Sequence, residues 1–250
     1  MNFIFYKQQF LNHIHIQKNT SPFWGIWFFV LPITPLLAYA FFGYLKILPS
    51  DGDIPKYIYI IVGITSWLLF SDSLTQPTSS IHRFKHYFCR QEIGFIKLMT
   101  AWLPERLVAA LLQFLFCLML VVYEVGLDII NISLYLFVVL MGFIFFNAIG
   151  AIVAVVSLIF PSLTNFIVTI NRFLLFLSAV IFPLPNGEIE GYIKILNPYY
   201  VYIDSARKLL FGNEVDWQPI IIWSMVALLF LIILNKKVYG ITPELREYLQ

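Results

Sequence analysis

Long apolar runs separated by short polar connectors dominate the 250-residue chain. A helix that crosses a bilayer needs about 20 mostly apolar residues. Six stretches meet that requirement, at residues 22–45, 57–74, 95–123, 132–160, 165–182 and 219–234. The first holds Pro32 and Pro35, which predicts a bend, and is dense in aromatics, among them Trp24, Trp27 and Tyr44. The third is longer than a span requires, which predicts tilt or an end outside the hydrocarbon. Ahead of the first run, Phe3, Tyr6, Phe10 and Ile14 recur every three to four residues, with Lys7, Gln8, Gln9 and Asn12 between them. That spacing predicts a short helix lying in the headgroup region with one apolar stripe. Ser21 suits the cap of the next helix and Pro22 its first turn.

Two connectors carry more information than the rest. Between the second and third runs, Ile81, Phe84 and Phe88 fall at steps of three and four, interleaved with His82, Arg83, Lys85, His86 and Arg90. This predicts a short amphipathic helix, basic on its wet faces, starting near Pro77 and Ser80. Such a helix either docks a cytoplasmic partner or rests on anionic lipid. Between the fifth and sixth runs, Pro183–Trp217 is too polar to span and too apolar for a plain loop. It holds Asn197-Pro198, Tyr199 and Arg207, and it predicts a segment that partly re-enters the membrane. Non-helical backbone at that depth has to be buried in protein or line a cavity.

Composition agrees with the pattern. Apolar residues make up 60% of the chain, charged residues 12%, and the mean hydropathy is +0.82. A soluble chain carries about a quarter charged residues, so an all-α integral membrane protein is expected, with no separate soluble domain. The net charge of +2 is too small to argue for nucleic acid. Cys89 and Cys117 are expected to be free thiols. Lys and Arg concentrate on the cytoplasmic side of span ends. The side shared by both termini collects nine of them and the other side five, which places both termini in the cytoplasm.

Candidate chemistry is sparse. His82 and His86 stand four apart but lack a third ligand in register, so a solvated pair outweighs a metal site. Glu105 and Arg106, adjacent on one helix, do not face each other and should find partners on other helices or snorkel. Arg172, two turns into the fifth run, should face protein or water. It either meets an anionic headgroup or pairs with a carboxylate or helix end. The tyrosines of the outer segment, and Trp24 and Trp27, suit an interfacial belt or a sugar-stacking wall. The G-x-x-x-x-G-K-[ST] phosphate loop is absent from the sequence. The chain is therefore not expected to hydrolyse ATP itself, and no catalytic or metal-binding residue is assigned.

Three motifs carry a resemblance. They are FLSAVIFPLP (Phe176–Pro185), LNPYYVYIDSARKLLFG (Leu196–Gly212) and GITSWLLFSDSL (Gly63–Leu74). Together with the layout of the chain, they make it resemble the permease subunit of ABC-2-type polysaccharide exporters, the capsule, O-antigen and teichoic-acid export family. QKNTSPFWGIWFFVLP keeps Gly25, Trp27 and Pro32 of that family's first span but lacks its arginines. The resemblance implies one transmembrane domain over residues 1–250. Its parts are an interfacial helix (1–21), spans 1–2 (22–75), a coupling-helix region (76–94), spans 3–5 (95–182), a re-entrant outer segment (183–217), and span 6 with a cytoplasmic tail (218–250). It further implies a homodimer in the cytoplasmic (inner) membrane, docked on two copies of a separate ATPase that binds ATP and Mg, and exporting a lipid-linked glycan. No cofactor is implied in this chain. Ile81, Arg83, Phe84, Phe88 and Arg90 would couple to the ATPase. Trp24, Trp27, Tyr44, Arg172, Asn197, Pro198, Tyr199 and Arg207 would lie on the substrate path. The rivals are an ABC-2 permease for drugs or lipids, and a polytopic membrane enzyme.

Overall fold

A computed structural model of the chain describes residues 3–20, 22–44, 55–89, 95–126, 128–181 and 188–249. The described residues form ten helices and no strand. In chain order these are α1 (Phe3–Thr20), α2 (Trp24–Tyr44), α3 (Lys56–Cys89), α4 (Phe95–Met99), α5 (Leu103–Val125), α6 (Ile129–Ile159), α7 (Ser162–Leu177), α8 (Glu188–Leu196), α9 (Pro198–Leu210) and α10 (Trp217–Leu249).

Four helical stretches are long and apolar enough to cross a bilayer: Lys56–Phe84, Ile96–Val125, Ile129–Ile159 and Trp217–Leu234. The protein is therefore all-helical with transmembrane character. The six predicted runs do not all reach span length. Helix α7 has 16 residues, which at a rise of 1.5 Å gives roughly 24 Å against a hydrocarbon core of ~30 Å. In α2 the described apolar stretch is Phe29–Phe41.

Helix α3 is the centre of the bundle, with 67% of its apolar window buried, whereas α10 buries 11% and turns most of its surface outward. The most extensive pairing joins α3 to α6. Small residues on α6 make it possible. Gly150 lies directly against the backbone carbonyls of Ser73 and Leu74, and Ala148, Ala151 and Ala154 are buried along the same helix. Close backbone approach through small residues is how helices associate where lipid is as apolar as leucine.

Two predicted boundaries shift. Residues 76–89 are not a separate helix: α3 passes through Pro77 without ending. Proline cannot donate to the carbonyl four residues earlier, here Ser73, and Gly150 covers that carbonyl from α6. Conversely, the predicted third span breaks at Thr100–Trp102, between α4 and α5. The Thr100 hydroxyl folds back on the Ile96 carbonyl (2.7 Å), and Pro104 in the first turn of α5 costs no hydrogen bond. At the C-terminus, Lys236 and Lys237 do not stop α10, which continues to Leu249.

The main core gathers around α9. Phe70, Phe145, Phe146, Tyr199 and Tyr202 interlock ring to ring, with Phe146 and Tyr199 centroids 3.9 Å apart. A smaller cluster of Ile81, Leu98, Met99, Ala151, Ala154 and Leu158 ties the far end of α3 to α4 and α6.

Candidate functional site

The polar groups of the core converge where α7 ends and α9 begins. Asn197 caps α9, accepting from the Tyr199 amide at 3.1 Å, and Pro198 occupies the first turn. This is the favoured chemistry of a helix start. The Asn197 amide donates in turn to the Leu177 carbonyl (3.1 Å) and the Ser178 hydroxyl (3.2 Å), the end of α7. Nearly two turns back on α7, Asn171 donates to the Ser71 hydroxyl of α3 at 2.6 Å and accepts from the Tyr199 hydroxyl at 2.6 Å. Three helices are thus joined by one continuous side-chain network.

Arg207 completes the junction. It is 2% exposed and forms no ion pair among the described residues. Instead Nη1 donates to the Ala179 carbonyl (2.6 Å), Nη2 to the Val180 carbonyl (2.5 Å) and Nε to the Tyr59 carbonyl (3.1 Å). The guanidinium carbon stands 3.7 Å over the Tyr59 ring. A guanidinium remains charged, so its desolvation is offset by carbonyl dipoles and an aromatic face. Ala179 turns there with φ 53°, which aims successive carbonyls beyond α7 at one cation. Gly63 leaves the space: a Cβ there would fall on Arg207 Nη2.

Tyr199 and Arg207 are both buried and join helices, and Tyr199 also reaches the wall of an apolar groove. Asn197 and Pro198 are half-buried. They border the same groove, of about 480 Å³, which Phe146, Leu174 and Tyr192 also line. Among the other predicted path residues, Trp24 is half-buried and Tyr44 exposed, and the Trp27 side chain lies outside the described residues. Arg172 is exposed on α7, beside the inward-facing Asn171. It makes no ion pair or hydrogen bond among the described residues. Asn165 and Thr169 are exposed on the same helix.

The predicted docking set divides. Ile81 is fully buried in the smaller cluster, with Phe84 packed against it. Arg83 is exposed. The side chain of Phe88, and Arg90 altogether, lie outside the described residues. His82 faces Ser157 at 3.4 Å. Arg106 does find a partner on another helix, Asp72 of α3, at 3.6 Å.

Sequence reading gave no role to Tyr59, Asn171, Ser178 or Gly63, although Ser178 and Gly63 lie in the motifs FLSAVIFPLP and GITSWLLFSDSL and Asn171 is an amide deep in an apolar run. Tyr199→Phe should leave Asn171 Oδ1 unpaired inside the core and cost about 1–3 kcal/mol. A lowered midpoint in thermal unfolding of the detergent-solubilised protein checks this, and an unchanged midpoint would remove the network from the account.

The fold and its junction define a polytopic helical protein of membrane character. No protein-family model matches the chain, and no curated protein matches its sequence.

Proposed function

We propose that the chain is the membrane permease of an ATP-driven exporter of the ABC-2 type, moving a lipid-linked polysaccharide across the cytoplasmic membrane. It would work as a homodimer energised by two copies of a separate ATPase. In this reading α1 is the interfacial helix, α2, α3, α5, α6, α7 and α10 are the six spans, and α8–α9 is the outer segment folded back into the bundle. Both termini are cytoplasmic.

The observation that carries this reading is α9. A 13-residue helix between two apolar helices is buried against α3 and α6 and fastened by its Asn-Pro start and its arginine. The short length of α7 is consistent with the role: α8–α9 completes the bundle on the side where α7 stops. On α7 the exposed Asn165, Thr169 and Arg172 form a polar stripe beside exposed Phe166, Ile170 and Phe173, and that stripe is suited to a wet passage between two copies.

Coupling would fall to the far end of α3. As a rigid continuation of the central helix, it transmits a push from the cytoplasm directly to the core. The exposed Arg83 and the residues beyond Phe84 supply the contact.

The decisive experiment is affinity purification of the tagged chain from its native membranes in mild detergent. A nucleotide-hydrolysing subunit should co-purify, lipid-linked glycan should stimulate its ATP turnover, and deleting the chain should abolish a surface polysaccharide. Absence of any such ATPase would overturn the proposal. The apolar groove beside Asn197 favours one alternative, export of a lipid or apolar drug, and turnover stimulated by those but not by glycan would select it.

A further inference from the structure

Helix α6 carries an amide within its apolar run that the bundle does not partner. Two amides on neighbouring helices are met: Gln113 donates to the Pro32 carbonyl at 2.8 Å, and Asn171 joins Ser71 and Tyr199. Asn147 does not follow them. It is half-buried and makes no hydrogen bond among the described residues. In a membrane-spanning helix such an amide is costly, because hydrocarbon offers it neither donor nor acceptor.

Asn147 lines a groove of about 330 Å³ between α4, α6 and α10. Ile96 and Met99 of α4, Ala151 of α6, and Leu231 and Leu234 of α10 form most of its walls. Thr100 also borders it, but that hydroxyl is already committed to the Ile96 carbonyl and to Tyr6. None of the lining residues is ionisable. An apolar cleft of about 300–1,000 Å³ with a few placed polar groups is the usual form of a small-molecule site. This one is too small to admit a further helix, whose diameter with side chains is about 10–12 Å. A second copy or a partner's helix therefore does not reach Asn147, whereas an alkyl chain does.

Depth narrows the ligand further. Leu231 and Leu234 lie in the last turn of the apolar stretch Trp217–Leu234, and Ile96 and Thr100 lie at the start of Ile96–Val125. The groove thus opens where hydrocarbon gives way to headgroups, the level of the ester carbonyls and glycerol hydroxyls of lipids. An asparagine amide presents both donors and an acceptor, which a neighbouring carbonyl and hydroxyl complement.

We infer that this groove binds an uncharged glyceride, with one alkyl chain between α6 and α10 and its ester carbonyl or free hydroxyl bonded to Asn147. The inference rests on the membrane character of the fold and does not require the transport reading.

Equilibrium binding of tritiated monooleoylglycerol to the detergent-purified chain, with whatever subunits accompany it, tests the site. Unlabelled monooleoylglycerol should displace the label at a concentration at least tenfold lower than octadecane, which lacks a polar group, or oleate, which is charged. Asn147→Leu keeps the size of the side chain and removes the amide. It should weaken binding about tenfold. With no lipid added it should leave the unfolding midpoint unchanged or raise it, because the bundle gives that amide no partner to lose. Leu231→Trp narrows the groove from the exposed side of α10 and should block binding with Asn147 intact. Lack of saturable binding, equally effective displacement by octadecane or oleate, either variant binding like the unaltered chain, or a lowered midpoint for Asn147→Leu would overturn the inference. Failure to recover an ATPase would bear on the proposed function alone, because this measurement reads no ATP turnover.

Discussion

Arg207→Met should be the most damaging single substitution in the protein. The methionine approximates the length of the arginine stem but donates nothing, so the carbonyls of Tyr59, Ala179 and Val180 lose their common donor. The Tyr59 carbonyl keeps its helical bond within α3, so two buried acceptors, at Ala179 and Val180, are left unpaired at about 1–3 kcal/mol each, and the total should be about 2–6 kcal/mol. That is a large share of the ~5–15 kcal/mol that separates a typical folded chain from its unfolded state. Size-exclusion chromatography of the detergent extract should show aggregation or loss of the monodisperse peak. Arg207→Lys should fall between the two, since an ammonium keeps the charge but cannot reach three carbonyls with a planar fork. If Arg207→Met behaves as the unaltered chain does, the junction does not hold α7 to α9.

Gly150→Val should separate the two central helices. A side chain at Gly150 would run into the carbonyls of Ser73 and Leu74, and backbone cannot rotate away as a flexible side chain can. Overpacking a close contact costs about 1–3 kcal/mol and sometimes more, and here it acts on the most extensive helix pair of the bundle. The measurable outcome is a lower unfolding midpoint of the detergent-solubilised protein. Gly25→Ala is the matching control. Nothing lies within 4 Å of a Cβ at that position, and the change should be neutral or slightly stabilising because alanine favours helix.

Much of the helical content was legible because helix formation in an apolar chain is a local matter. The runs that became α3, α5, α6 and α10 are strongly apolar and long, and lipid leaves their backbone no hydrogen-bonding alternative. Breakers were harder to read. Pro77 resembled a helix start, yet α3 runs through it because α6 supplies a close neighbour in Gly150. Thr100–Trp102 carried no strong breaker of its own, yet α4 and α5 part there, with Pro104 just inside the second helix.

The candidate site divided along the same line. Asn197-Pro198 as a helix start was readable, since an Asn cap followed by Pro is a sequence-local signal. The tasks of Arg207 and Tyr199 were not. On a one-dimensional chain a lone arginine among tyrosines suggests a ligand. Its true partners are main-chain carbonyls at positions 59, 179 and 180, which carry no signature in residue type. Ile81 and Phe84 posed the same difficulty, because an apolar stripe on an amphipathic helix faces either a partner or the protein's own core, and periodicity is identical in both cases.

Residue order alone therefore determined that this chain is helical, apolar and membrane-like, because those properties follow from the transfer free energy of each segment taken separately. Tertiary structure alone decided which polar groups meet. Buried arginine, asparagine and tyrosine are tolerable only in the company of particular donors and acceptors from distant segments, and that company exists only once α3, α7 and α9 have packed.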